Sequence, residues 1–323
     1  MKFAFRFTNH DSRITILALA AALLLAAAAG AHAQADNDAE RCMSVAGNPD
    51  LAIQHCTKAI ESRRYSGATL GNLHHSRGVE WTAKGNLDRA IADYDIAIRL
   101  SPDSADAHFN RATAWANKAD PDRAIADYST AIRLSPKEAA AYGGRGVEWS
   151  VKGDYARAVA DFDTALGLDP KSVNAVLGRG RTRFYGGDFQ RAADDFGRAQ
   201  KLDDNPYTAL WLYLALKRGS TDGDEALKPY ASAAASNVWP APVIALYIGR
   251  AKPEAVVAAA NTPDSAKRRE LRCEASFYVA QWHLVRNERD RALPLLKEAQ
   301  SGCPKNNLEY EGTLAELRRL QTR

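Results

Sequence analysis

The 323-residue sequence lacks the features that would assign it chemistry at sight. It has no glycine-rich phosphate loop, no His-Glu-x-x-His string and no Gly-x-Ser-x-Gly elbow, so the short signatures of nucleotide binding, zinc hydrolysis and serine catalysis are missing. It lacks a charge imbalance as well. Lys and Arg number 43 against 39 Asp and Glu, and a net charge of +4 with no long basic run gives no reason to expect nucleic acid or a membrane surface as partner. His74 and His75 are adjacent, so their side chains diverge on a helix, and no close Cys or His pair stands at ligand spacing. Neither a metal nor another cofactor is expected, and no catalytic residue stands out. What is present is 46% hydrophobic and 25% charged, a globular balance that excludes disorder along the whole length.

The amino terminus reads as an export signal. Lys2, Arg6 and Arg13 form a basic leader, Ile14 to Ala29 is apolar, and Ala31-His32-Ala33 offers small residues where a signal peptidase reads. Cleavage after Ala33 is expected, making 1–33 a removed Sec signal. The apolar run falls short of the roughly 20 residues that span a bilayer, and no second one follows, so stable membrane insertion is not expected. The first cysteine, Cys42, follows Ala39-Glu40-Arg41, where a lipid-attachment signal needs small and apolar residues. The expectation is a periplasmic protein without a lipid anchor.

Internal repetition is the strongest signal. Rows of 34 residues place Gly78, Ala112, Gly146 and Gly180 in one column, Ala90, Ala124, Ala158 and Ala192 in a second, and Tyr94, Tyr128, Phe162 and Phe196 in a third. Pro102, Pro136 and Pro170 close the first three rows. This is the tetratricopeptide pattern of helical hairpins: the small residues let paired helices approach, the aromatic fills the space between hairpins, and proline stops the second helix. Four repeats follow, at 71–104, 105–138, 139–172 and 173–206. Arg77, Arg111, Arg145 and Arg179 recur with Asp93, Asp127, Asp161 and Asp195 at the same period, so salt bridging within each hairpin explains them better than a ligand ladder does. Arg89, Arg123, Arg157 and Arg191 are expected on the outer face with their stems along the helix surface.

The flanks keep fragments of the pattern. Residues 34–70 read as a capping hairpin, and 273–323 read as a hairpin followed by a covering helix from about Leu308 to Leu320. Between them, 207–272 is cut by Pro229, Pro240, Pro242, Pro253 and Pro263 into short helices. The expected fold is therefore all-α: a helical-hairpin solenoid with an irregular section before its last hairpin. Four cysteines in an exported chain favour disulfides. Cys273 and Cys303 fall at adjoining ends of antiparallel helices, and Cys42 and Cys56 fall on opposing helices of the first hairpin, so those two pairings are expected.

Stacked hairpins line a groove with their first helices, and that groove is the expected binding site. Its candidate residues are Asn72 and His75 in the first row, Phe109, Thr113 and Asn117 in the second, and Leu177, Arg181, Phe184 and Tyr185 in the fourth. The mixture of apolar, amide and aromatic groups suits an extended or helical peptide.

The strings Pro206 to Ala215 (PYTALWLYLA), Trp239 to Gly249 (WPAPVIALYIG) and Cys273 to Leu284 (CEASFYVAQWHL) resemble, in order and spacing, the carboxyl-terminal half of the NlpI family of periplasmic tetratricopeptide lipoproteins. The resemblance implies a non-enzymatic adaptor, often a homodimer, that gathers peptidoglycan hydrolases and a tail-specific protease in the cell envelope. The rival readings are a secreted enzyme and a polysaccharide-binding solenoid; the latter requires aromatic residues in the groove of every row.

Overall fold

The computed structural model describes residues 34, 36–44, 47–236, 238–305 and 307–321, and the expected leader 1–33 lies outside them. The chain forms two compact units, Met1–Arg111 and Ala112–Arg323, with the division inside one helix. All regular elements among the described residues are helical.

In the first unit, helix α1 covers 36–44 and α2 covers Pro49–Glu61, which starts on Pro49 behind the Asn48 cap. Cys42 and Cys56 stand at disulfide distance with Cα atoms 4.6 Å apart, buried with Ala59 and Leu73. Helices α3 (Gly67–Ala83) and α4 (Leu87–Leu100) form the first full hairpin. Gly78 is obligatory there, because a Cβ would come within 2.7 Å of the Tyr94 ring. Arg77 grips Asp93 through Nε and Nη2, each at 2.8 Å, and its Nη1 reaches Thr57 on α2 at 3.1 Å.

Helix α5 (Ala105–Asn117) carries the boundary between units. Beyond it lie α6 (Pro121–Leu134), α7 (Ala139–Lys152), α8 (Tyr155–Leu168), α9 (Val173–Gly186) and α10 (Phe189–Leu202). Asp120, Asp154 and Asp188 each accept the backbone N–H three residues on, which fixes where every second helix begins. The column aromatics lodge between hairpins: a Cβ on Gly144 would meet the Tyr128 ring at 2.6 Å, and one on Gly178 would meet Phe162 at 2.5 Å. The charged columns form forks. Arg145 donates to both oxygens of Asp161 at 2.8 and 2.7 Å, and Arg179 to those of Asp195 at 3.1 and 2.5 Å. The remaining guanidinium nitrogen crosses to the preceding hairpin, from Arg145 to Ser129 at 3.1 Å and from Arg179 to Asp163 at 2.6 Å. One arginine therefore ties two hairpins together, which is why the column repeats.

The proline-cut stretch comprises α11 (Pro206–Arg218), α12 (Asp224–Leu227), two single turns, α13 (Ala241–Tyr247) and α14 (Pro253–Ala259). Although irregular in sequence, it supplies the main core of the second unit. Trp211 stacks on Phe196 with ring centres 5.8 Å apart and meets Phe184 edge-on at 5.3 Å. Tyr213 stacks on Tyr247 at 5.1 Å. Helix α15 starts at Ser265 rather than at the expected Cys273 and runs to Val285; the Asp264 carboxylate accepts from the N–H groups of Ala266 and Lys267 and so starts the helix ahead of the repeat register. Helix α16 (Arg289–Gly302) returns antiparallel to it and places Cys303 at disulfide distance from Cys273, with Cα atoms 4.9 Å apart.

The last helix, α17 (Leu308–Gln321), packs on α15 and α16, and it also reaches α9. Arg319 donates to the carbonyls of Phe184 and Tyr185 at 2.9 and 2.7 Å. Glu316, 2% exposed, accepts a two-pronged bond from Arg218 at 2.9 and 3.3 Å and another from Gln281 at 3.3 Å. Burial alone would raise the Glu316 carboxyl, but Arg218 and Arg319 hold it below the usual carboxylate range.

Candidate functional site

Helices α9, α11, α15 and the start of α17 enclose a cleft of about 910 Å³ in the second unit, a volume that suits a short peptide or a few side chains of a partner. Helix α9 supplies Leu177 and Arg181, four residues apart on one face. Tyr207 and Trp211 come from α11, one turn apart, because Pro206 begins that helix and fixes their phase. Helix α15 adds Glu270, Glu274 and Tyr278, again at helical spacing, and the entry to α17 adds Glu309.

The electrostatics of this cleft are unbalanced toward acid at its floor. Trp239 donates Nε1–H to Glu274 at 2.6 Å, yet burial first and the neighbouring Glu309 second push the Glu274 carboxyl up to about 7. Glu309 is raised by burial too, with Arg181 opposing the shift. Burial, then the charges of Glu274 and Glu309, drives the Tyr207 hydroxyl upward, so it stays a neutral donor at every physiological pH. The site therefore offers aromatic faces, a neutral phenol, carboxyls raised above their usual range, and the cations Arg181, Lys267 and Arg269. Such groups hold a ligand by stacking and hydrogen bonding. Among the described residues, no group of three or more His, Cys, Asp or Glu is placed to hold a metal.

Two of the groove residues expected from sequence meet here, Leu177 and Arg181. Phe184 and Tyr185 do not line a groove. They are 0% and 4% exposed, packed against Trp211 and roofed by α17, because the carboxyl-terminal helix folds back on α9. In the same unit Thr113 is half-buried and shares a hydrogen bond with the Tyr128 hydroxyl at 3.1 Å, while Asn117 is exposed at the end of α5. In the first unit Asn72 is exposed, Phe109 is half-buried, and His75 shares a 2.8 Å hydrogen bond with Asn110. Burial lowers the His75 imidazole from its ordinary value. Sequence reasoning missed Tyr207, Glu274 and Glu309, which come from helices outside the regular rows.

A second feature was legible only in part. The outer arginines do lie along the helix surface, but they stack on the tryptophan column: the Arg89, Arg123 and Arg157 guanidinium carbons sit 4.7, 4.4 and 4.6 Å from the ring centres of Trp81, Trp115 and Trp149. The constant spacing of eight from Trp81 to Arg89, Trp115 to Arg123 and Trp149 to Arg157 was the available signal.

Successive antiparallel helix pairs with column-specific glycines, capped turns and arginine ties define a helical-repeat protein of the hairpin class. The tetratricopeptide-repeat family matches residues 83–139, 116–173 and 151–207. The chain thus carries tetratricopeptide repeats across 83–207, on an all-helical frame. Among solved structures, a tetratricopeptide repeat protein from Parabacteroides merdae is similar over 88% of this chain and 99% of its own, at 18% identity and a TM-score of 0.55. MamA from Desulfovibrio magneticus RS-1, residues 41 to its end, is similar over 53% of this chain and 93% of its own, at 18% identity and a TM-score of 0.48. YrrB, a tetratricopeptide-repeat protein with an unusual peptide-binding site, is similar over 50% and 81%, at 18% identity and a TM-score of 0.44. No curated protein matches the sequence.

Proposed function

We propose that the chain is a periplasmic adaptor that seats segments of other envelope proteins in the cleft between α9, α11 and α15. The observation that carries this reading is the cleft itself. It is about 910 Å³, floored by Tyr207, Trp211 and Tyr278, and built on the face that hairpin repeats present to ligands. Export through the 1–33 signal and two cysteine pairs at disulfide distance support an oxidising compartment. Among the described residues no helix is long and apolar enough to cross a membrane. The resemblance to the NlpI family supports peptidoglycan hydrolases and proteases as partner classes, and a homodimer as the assembled form.

Affinity purification of the tagged mature protein from an envelope extract, read by mass spectrometry, tests this reading. Arg181→Ala combined with Tyr207→Ala is expected to lose captured partners while keeping helical circular dichroism. Undiminished capture by that variant contradicts it.

A secreted enzyme is the second reading, favoured by Glu274, which lines the cleft and whose carboxyl near 7 suits proton transfer at neutral pH. An enzyme would turn over peptide or glycan substrates at a rate that falls with Glu274→Gln. The adaptor reading expects no turnover by either form.

A further inference from the structure

A second concavity of the same unit, about 610 Å³, lies where the start of α15 faces the end of α16, and it is lined by cations. Lys267, Arg268, Arg269 and Arg272 fall in the first eight residues of α15, and the three arginines line the concavity. Positive charge is disfavoured at the positive end of a helix, so this sequence concentrates cations where the backbone opposes them. The capping carboxylate of Asp264 is already engaged by the N–H groups of Ala266 and Lys267. Arg268 is anchored by a 2.9 Å bond to the Thr262 carbonyl, whereas Arg269 and Arg272 are exposed and one turn apart.

Glu298 is the one acidic residue in the lining, against three arginines, and Ser265 and Ser276 add hydroxyls. Cys273 and Cys303 stand at disulfide distance in its wall and hold α15 against the end of α16. Ala299 and Pro304 are its largest apolar contributors besides the cysteines, so a bilayer would find no side chain there to insert.

We propose that this concavity docks an acidic, Asp- and Glu-rich segment of a protein partner, whose carboxylates pair with the guanidinium forks of Arg269 and Arg272. Planar guanidinium groups match carboxylates in two-pronged geometry. The proposal rests on the adaptor reading only in that the occupant is a protein. Arg269 also lies on the rim of the aromatic cleft, so Arg272, which does not, is the discriminating position.

The test is fluorescence anisotropy of the mature protein with a short labelled peptide of alternating glutamate and serine, beside a lysine-and-serine control. The glutamate peptide is expected to bind, to lose affinity steeply between ~50 and ~300 mM salt as exposed charge pairs do, and to bind about tenfold more weakly to Arg272→Glu. The melting curve of that variant should match wild type, because Arg272 is exposed; if it does not, Arg272→Gln and the salt series on the unmodified protein carry the test. Equal binding of both peptides, or no effect of either substitution, overturns the proposal. Binding of phosphatidylglycerol vesicles in preference to the peptide overturns it in favour of a membrane, and displacement by millimolar inorganic phosphate overturns the peptide assignment in favour of a free anion. Loss of peptide binding in Arg272→Glu with envelope capture intact confirms this concavity as separate from the aromatic cleft, while loss of capture only in the Arg181 and Tyr207 variant leaves this proposal standing.

Discussion

The Tyr185 hydroxyl donates to the Leu308 carbonyl at 3.2 Å, joining residues 123 positions apart. That contact marks where the carboxyl-terminal helix returns to the fourth repeat. It turns Phe184 and Tyr185 from groove residues into core, and it leaves Leu177 and Arg181, farther back along α9, as the part of the row that still faces open space.

Phe184→Ala is therefore expected to destabilise the second unit by about 3–5 kcal/mol, the usual cost of emptying a buried aromatic site. Urea denaturation monitored by circular dichroism measures it. A loss below about 1 kcal/mol would mean that Phe184 is not packed under α17.

Arg145 and Asp161 are expected to behave as one unit. Removing either partner of the fork, by Arg145→Met or Asp161→Asn, should cost about 3 kcal/mol, because each leaves a poorly solvated group unpaired, and the double variant should cost less than the sum. Strictly additive effects would return the arginine column to a ligand-binding role.

Much of the repeat region was readable because its physics is periodic. A small residue such as Gly78 beneath Tyr94, or an arginine and aspartate pair such as Arg179 and Asp195, recurs every 34 residues, so columns reveal contacts. The cleft was only half readable. Leu177 and Arg181 sit in a column, but Tyr207, Glu274 and Glu309 are brought to them by helices whose register restarts at Pro206, Asp264 and Asn307. No spacing in the sequence encodes the return of α17 to α9, since it depends on contacts such as Arg319 to the Phe184 carbonyl across 135 positions.

The cysteine pairs predict a redox signature. The protein purified without reductant after export to an oxidising compartment should show no thiol to an alkylating reagent under denaturing conditions and four after reduction. Each bridge closes a short loop, so reduction should lower stability by about 3 kcal/mol per bridge in the chain-entropy account. Four reactive thiols before reduction would remove the pairing.

Stability should depend on pH in a stated direction. Burial pushes the Glu148 carboxyl up to about 7 in the folded protein, above its value near 4.5 in an unfolded chain. The unfolded state gives up that proton first, so the contribution of Glu148 is present below about 4.5 and is lost as pH rises through about 7. Glu316, held low by Arg218 and Arg319, acts in the opposite sense, and its contribution disappears as pH falls below about 4.5. Urea midpoints at a series of pH values between 5 and 8 should fall less steeply for Glu148→Gln than for wild type, by up to about 3 kcal/mol across the window. Parallel curves would show that Glu148 is solvated.

The claim that the cleft between α9, α11 and α15 receives partner segments is tested most directly by a photo-crosslinking amino acid placed at Tyr207 and, separately, at the exposed outer position Arg191, in cells that express the full chain. The account predicts discrete envelope-protein adducts from position 207 that disappear with Arg181→Ala, and none from position 191. Adducts from position 191 alone, or adducts at 207 indifferent to Arg181, would contradict it.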